Sequence, residues 1–415
     1  VPKIAVVFPG SDSHFIGMYK ALYDEYSIVR DTIHEAEQAT GIPLGELCFK
    51  GPLSVLSRPE NAHAAIVAFG VAAFRVFVSE TGITPQFCAG HSLGEYTALV
   101  CAGAMKLSDT LKLVQLRTEI SKEIQTAVDG GMTIVDGIDA EAVEKICKQQ
   151  QRNGRHVYVS CYNSSTQVAI SGLQEDVEET EKIIGKEHGS VTPLFDSAPF
   201  HCPVMERGAE KLQKAIARLP LGEFRYPVMS NYTGKPYVRI QDVEENLVRH
   251  LSNPVRWEEI IRYFESKGVR LVIDFSARNI FEGMIQHKPS LRTICFGVRE
   301  EREKLFQLLN SSDDDGSRST FISKSLLAAL STPNQHVERY VNGADVADHY
   351  HKLSEISMEL EQGRIALSNE VKRSILLLLK RIFDAKKLGR DEQTQWFQQI
   401  LDETSSTYLN LIEIE

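Results

Sequence analysis

Phe87-Cys88-Ala89-Gly90-His91-Ser92-Leu93-Gly94-Glu95 is the stretch on which the reading of this chain turns. Three apolar residues lead into a Gly-x-Ser-x-Gly, and a helix-like run from Glu95 to Ala104 leads out of it. That order is a nucleophile elbow: the glycines leave room for a sharp strand-to-helix turn that pushes a serine hydroxyl clear of the backbone. A hydroxyl attacks nothing at neutral pH without a base to take its proton and donors for the oxyanion that develops. Glycine and serine are common residues, so the pentapeptide carries the reading only together with its partners.

Outward from the elbow, Ile4 to Phe8 reads as a buried strand closing on Pro9-Gly10, and helical periodicity follows from Gly17 to Thr40. Ala62 to Thr81 is a long apolar helix leading into the strand before the elbow. Strands alternating with helices give an α/β layered fold. From about 131 to 197 the order changes to strand (Met132–Val135), helix (Ala140–Gln151), strand (His156–Cys161), strand (Gln167–Ser171), helix (Glu175–His188) and strand (Val191–Phe195). Asn163-Ser164-Ser165 supplies the turn between the middle strands. This βαββαβ order is the split ferredoxin-like motif, expected here as a compact unit inserted in a larger domain. The parent domain resumes with the helix after Pro203, and Leu271 to Phe275 reads as a late core strand.

Composition then breaks at Ser311-Ser312-Asp313-Asp314-Asp315-Gly316-Ser317, an acidic linker signal. Beyond it, Val346, Tyr350, Leu353, Ile356 and Leu360 repeat at helical steps, as do Val371, Ile375, Leu378 and Ile382, giving helices near 337–361, 369–386 and 391–403. The expected layout is a core from 1–130 and 198–310, an insert at 131–197, a linker at 311–322 and a helical C-terminal extension at 323–415. The extension shows no catalytic constellation and reads as helices packed on the enzyme or on each other, or as a docking surface.

The 415 residues exceed one ordinary domain and suit one large enzyme domain with an appendage. A formal charge of −10 counts against nucleic acid and anionic membrane as partners. The seven cysteines (48, 88, 101, 147, 161, 202, 295) are scattered and show no C-x-x-C, which fits reduced thiols better than a disulfide framework or a zinc site. We expect a cytoplasmic enzyme with neither a signal peptide nor a membrane span.

Two partners suit Ser92. His201, in Ser197-Ala198-Pro199-Phe200-His201-Cys202-Pro203, lies where the insert rejoins the parent domain, a natural place for a cleft. A histidine there can act as general base, although it is one histidine among twelve. Arg117, in Leu116-Arg117-Thr118, falls on an apolar helix about seven turns past the elbow by sequence. It either pairs with an internal carboxylate or waits for a planar anion that its fork matches.

Val7-Phe8-Pro9-Gly10, Gly90-His91-Ser92-Leu93-Gly94-Glu95, Gln115-Leu116-Arg117, Phe200-His201-Cys202-Pro203, Asn231-Tyr232-Thr233-Gly234 and Asn253-Pro254-Val255-Arg256-Trp257 together resemble, in order, the malonyl-CoA:acyl-carrier-protein transacylases. The resemblance covers roughly 3 to 310. Its tailed layout is similar to free-standing, trans-acting acyltransferases of bacterial polyketide or hybrid peptide synthases. It implies an α/β-hydrolase-like large subdomain carrying a ferredoxin-like small one. It further implies Ser92 as the acylated nucleophile and His201 as its base, oriented by a backbone carbonyl, here that of Asn253. Backbone N–H groups of Ser11 and Leu93 would form the oxyanion hole. Arg117 would hold the free malonyl carboxylate, Phe200 would crowd a branched unit, and His91 and His63 would complete the substrate site. The implied partners are malonyl-CoA and an acyl carrier protein or carrier domain, with no metal or other cofactor, in a monomer.

The sequence departs from that family in three places. Ser11-Asp12-Ser13-His14 stands where Gln-Gly-Ser-Gln is usual, Asn61-Ala62-His63 where a glutamine is usual, and Asp274-Phe275-Ser276-Ala277-Arg278 where a Glu-x-Gly-Pro-Gly turn is usual. The first two bear on water near the serine; the third reads as conformational. Malonyl transfer is the favoured reading. Hydrolysis of stalled acyl groups and a weakly active docking scaffold are the alternatives.

Overall fold

Lys3–Phe8 is apolar at five consecutive positions, too many for a strand with one wet face, and all five are buried. The computed structural model describes residues 3–194, 197–311, 317–332, 343–362 and 364–404. The chain divides into two units, one of 2–76 with 85–302 and one of 77–84 with 303–415.

Among the described residues the first unit holds strands β1 (Lys3–Phe8), β2 (Phe87–Gly90), β3 (Gly130–Asp136), β4 (Val157–Tyr162), β5 (Gln167–Leu173), β6 (Ser190–Pro193), β7 (Val269–Asp274) and β8 (Arg292–Cys295). One sheet has the order β2-β1-β7-β8 with every pairing parallel, Val7 standing opposite Ala89 on one side and Asp274 on the other. Parallel neighbours need long crossovers, and helices supply them. The helix Pro59–Thr81 leads into β2, and Trp257–Ser266 precedes β7. Pro59–Thr81 is long and apolar enough to cross a membrane, but 83% of its most apolar window is buried, as befits a core helix.

The second sheet has the order β4-β5-β3-β6, all antiparallel, with helices Ala140–Arg152 and Gln174–Lys186 on it. That is the ferredoxin-like order expected of βαββαβ. Its own core gathers Val135, Val143, Val157, Val168, Ile170 and Ile184. A shared cluster then joins the two sheets: Cys161 and Ala169 pack with Val7, Ala89, Met229 and Trp257. The insert is therefore fixed to the parent sheet through buried apolar contact.

Two expectations change. The periodic run Gly17–Thr40 is two helices, Lys20–Glu25 and Ser27–Thr40, because Tyr26 between them is extended (φ −114°, ψ 125°). The expected linker at 311–322 is helical from residue 317, within Ser317–Ser331, because Phe321, Ile322 and Ser325 are buried on one face of it. Residues 312–316 of that linker, Phe195 of the last expected insert strand and 337–342 of the first tail helix lie outside the described residues.

In the second unit the helices Ser317–Ser331, Gly343–Glu361, Asn369–Ala385 and Arg390–Glu403 pack on one another, with Leu353, Ile375, Leu379, Phe383 and Phe397 among the buried residues. Ser368 caps Asn369–Ala385, its hydroxyl accepting from the Val371 N–H at 3.2 Å. The Lys386 ammonium donates to the carbonyls of Ala329 (2.6 Å) and Thr332 (2.8 Å), closing the C-terminal end of Ser317–Ser331.

Candidate active site

The elbow follows from steric demands at single residues. Ser92 sits at φ 51°, a left-handed conformation that costs a non-glycine residue energy and is kept only where its surroundings enforce it. A Cβ on Gly90 would lie 1.9 Å from the Gly94 backbone, and one on Gly94 would lie 2.2 Å from the Phe8 carbonyl oxygen. No other residue type fits at either position. The turn is held from the side by Asn231, whose Oδ1 accepts from the Ser92 N–H (2.8 Å) while its Nδ2 donates to the Gly90 carbonyl (2.7 Å).

His201 also has positive φ, 62°. Its Nε2 lies 2.7 Å from Ser92 Oγ, and its Nδ1 lies 2.8 Å from the carbonyl oxygen of His250. The carbonyl fixes the tautomer: Nδ1 carries the hydrogen and donates it, leaving Nε2 as a bare acceptor for the serine proton. The expected orienting carbonyl, that of Asn253, is thus replaced by that of His250. Helix Asp242–Ser252 ends here, and the residue that would complete the hydrogen bond to His250 four positions on is Pro254, which has no N–H. The His250 carbonyl is left free for the imidazole. Asn253 instead caps the helix, its Nδ2 donating to the Arg249 carbonyl at 2.8 Å.

A cavity of about 620 Å³ opens over these residues. One side is formed by loops at the carboxyl ends of the parallel strands, with Gly10, Ser11, His91 and Ser92. The other side is the insert, with Met132, Ile134, Cys161 and Ala169. Carboxyl ends of parallel strands are where such folds bind ligands. The third family departure contributes as well, since Arg278, Ile280 and Phe281 line the cavity. Asp274 shapes that loop by accepting from the amides of Ser276 (2.7 Å), Ile280 (3.2 Å) and Phe281 (3.4 Å). The expectation that this change is conformational only is therefore too narrow.

Ser11 lines the cavity, and Leu93 follows the nucleophile directly. Among the described residues the backbone N–H groups of Ser11 and Leu93 meet no backbone acceptor. They are two donors of the kind an oxyanion needs.

Arg117 is 2% exposed on helix Leu107–Ala127, and neither of its terminal nitrogens has a hydrogen-bond partner. Its guanidinium carbon stands 4.1 Å from the centre of the Phe200 ring and 5.9 Å from that of Tyr96. Among the described residues no carboxylate pairs with it, which speaks against the internal ion pair. Burial lowers its pKa, with the Tyr96 hydroxyl acting in the opposite sense. Phe200 is held in place by its carbonyl, which accepts from the Ser171 hydroxyl of β5 at 2.8 Å.

His63 and His91 both line the cavity. Thr118 Oγ1 donates to the Val114 carbonyl (2.9 Å), so it accepts from His63 Nδ1 (2.9 Å), and His63 Nε2 is left without a hydrogen. His91 Nε2 donates to Asn163 Oδ1 at 2.7 Å, the amide orientation being set by the bond from Asn163 Nδ2 to Gln167. Burial and then the Arg117 cation push His63 down to about 3, and the same two causes push His201 down to about 3. Burial also lowers His91. Burial thus keeps these imidazoles neutral beside the unpaired Arg117 guanidinium.

Of the residues singled out in the sequence, the structure brings Ser92, His201, Phe200, His91, His63 and Ser11 to one cavity, with Leu93 next to Ser92 in the chain and Arg117 against the Phe200 ring. Sequence reasoning missed the roles of Asn231, Glu95 and His250. Asn231 and Glu95 stand in the quoted motifs, so a signal existed, but a motif does not say what a residue touches. Among the described residues no group of histidine, cysteine and carboxylate side chains could hold a metal ion.

Residues 5–287 match the acyl transferase domain family. The chain is 34% identical over 316 residues to the malonyl CoA-acyl carrier protein transacylase of Bacillus subtilis (strain 168), covering 75% of this chain and 99% of that protein. A second protein of that name from Bacillus subtilis is 29% identical over 395 residues, 94% of this chain and 98% of its own length. Among solved structures, a type II polyketide acyl-carrier protein in complex with its malonyl-transacylase is similar at a TM-score of 0.70 and 30% identity, covering 74% of this chain and 99% of that one.

Proposed function

The chain belongs to the acyl transferase family, and from that premise we propose how it moves a malonyl group from malonyl-CoA to the phosphopantetheine thiol of an acyl carrier protein. The observation that carries the reading is a buried guanidinium with both terminal nitrogens unpartnered beside a serine–histidine pair at 2.7 Å. A desolvated cation without an anion is costly, and a substrate that brings a carboxylate removes that cost.

In the first half-reaction Ser92 Oγ attacks the thioester carbonyl as His201 Nε2 takes its proton. The carbonyl oxygen, now negative, is held by the N–H groups of Ser11 and Leu93. The imidazolium is stabilised by the His250 carbonyl at Nδ1 and returns its proton to the departing thiolate of coenzyme A. The malonyl-serine ester remains, its free carboxylate paired with Arg117. In the second half-reaction the carrier thiol gives its proton to His201 and attacks the ester carbonyl. Collapse returns the proton to Ser92 Oγ and releases the malonyl carrier. Coenzyme A enters as part of the substrate, and the two half-reactions need no further cofactor. Phe200 crowds the position next to the carboxylate and disfavours a branched acyl unit.

We place the division of labour as 1–130 with 198–310 for the acyltransferase core, 131–197 for the cavity's second wall and 323–415 for an accessory extension. The 94% coverage by a transacylase of the same length supports the extension as part of such an enzyme. Work as a monomer in the cytoplasm, on a polyketide or fatty acid pathway, completes the proposal.

Intact-mass spectrometry with malonyl-CoA, with and without a holo carrier protein, tests it. A malonyl adduct that persists alone and moves to the carrier is the expected outcome. An adduct that decays to malonate at the same rate without a carrier would mean a hydrolase, and no adduct would leave a docking scaffold.

A further inference from the structure

Glu95 stands in the first turn of the helix after the elbow and is fully buried, yet no step above uses it. Two donors and a ring nitrogen converge on its carboxyl. The Tyr237 hydroxyl donates to Oε1 (2.5 Å), the Asn231 N–H donates to Oε2 (3.2 Å), and His250 Nδ1 lies 3.1 Å from Oε2. Asn231 and His250 each belong to a piece of the active site. Asn231 holds the Ser92 N–H and the Gly90 carbonyl. His250 supplies the carbonyl that orients His201, and its ring stacks on the His201 ring with centroids 4.7 Å apart and planes 20° apart.

His250 Nε2 is buried and has no hydrogen-bond partner, so the ring hydrogen belongs on Nδ1, the nitrogen 3.1 Å from Glu95 Oε2. Burial pushes the Glu95 carboxyl up to about 8, with the Tyr237 and Asn231 donors acting against it.

We propose that Glu95 is a positioning residue for the acyl-transfer reaction: its buried carboxyl, through Asn231 and His250, fixes the nucleophile turn against the base. This rests on the acyl-transfer reading for its substrate but not for its geometry.

The test uses the full chain and two readouts. One is phosphonylation of Ser92 by a fluorophosphonate, in which Oγ attacks phosphorus, fluoride leaves and His201 takes the proton. The other is steady-state malonyl transfer to a holo carrier protein. Glu95→Gln is expected to slow phosphonylation and to lower kcat together, by roughly a hundredfold, with KM for malonyl-CoA within about twofold of the wild type. Glu95→Asp, which restores the carboxyl with both its oxygens, is expected to recover about tenfold of that loss. Glu95→Gln reacting within about threefold of the wild type in both assays would overturn the proposal. Should Glu95→Gln not fold, Tyr237→Phe decides: removing one donor is expected to slow phosphonylation about fivefold, and an unchanged rate overturns the proposal. A wild-type chain that is phosphonylated but transfers no malonyl would sink the acyl-transfer reading and leave the Glu95 comparison intact.

Discussion

At the scale of single residues, Arg117 does two things at once. On the proposed mechanism its unpaired charge anchors a substrate carboxylate, and it is the second cause, after burial, of the weak basicity of His201. A malonyl carboxylate that pairs with Arg117 therefore also relieves the base, so the acyl group assists its own transfer. Arg117→Ala should lower kcat/KM for malonyl-CoA by about a hundredfold or more, while acetyl transfer does not fall; equal loss of both would make Arg117 a packing residue. His201→Ala should slow serine acylation by about a hundredfold or more, read by the mass increase on mixing. Ser92 was legible in the sequence because it sits inside a local pattern whose chemistry is explicit, whereas His201 and Arg117 were candidates whose roles only the resemblance of the ordered motifs implied. The orienting carbonyl was not. Which carbonyl faces the imidazole depends on where helix Asp242–Ser252 stops, and helix ends are uncertain by a residue or two from sequence. Glu95 was hidden for another reason: it acts on Asn231, 136 residues away along the chain.

At the scale of elements, the decisive feature is the end of a helix. Pro254 withholds an N–H that would otherwise close on the His250 carbonyl, and the His201 ring uses what is left. Pro254→Ala supplies a competing donor. We expect kcat to fall about tenfold with little change in melting temperature, and an unchanged kcat would show that the imidazole holds the carbonyl regardless. In the helical unit, Ser368→Ala removes the cap of Asn369–Ala385 and should cost about 1 kcal/mol in denaturant titration of that unit. The strands of both sheets could be read from the chain because apolar runs and the βαββαβ order each have one economical packing. The break at Tyr26 and the helix beginning at Ser317 could not. In one the periodic pattern continues across a residue that the structure extends; in the other polar residues that look like linker form the first turn of a helix whose buried face comes later.

At the scale of the molecule, neutral buried histidines link stability to pH. His63 is held down to about 3 in the folded chain, against about 6.5 when unfolded. The unfolded chain therefore binds the proton first, and the stability present above pH 6.5 is lost progressively as pH falls toward 3. Between pH 7.5 and 5 the wild type should lose about 2 kcal/mol more than His63→Gln. Parallel slopes in the two proteins would remove His63 from the account. Asp274, pushed up to about 6 by burial, titrates in the opposite sense but is common to both and cancels in the comparison. The thiols have a different consequence. All seven cysteines are free and buried, and burial pushes Cys48, Cys147 and Cys161 up to about 12 and raises the other four as well. Cys161 even lines the cavity that receives the thioester. A thiolate there would intercept the activated acyl group and pass it on without selection, as any free thiol in solution does. Kept protonated, these sulfurs are chemically silent toward their own substrate, so the fold enforces chemoselectivity as well as geometry: of all the nucleophiles within reach, only an alcohol is allowed to react.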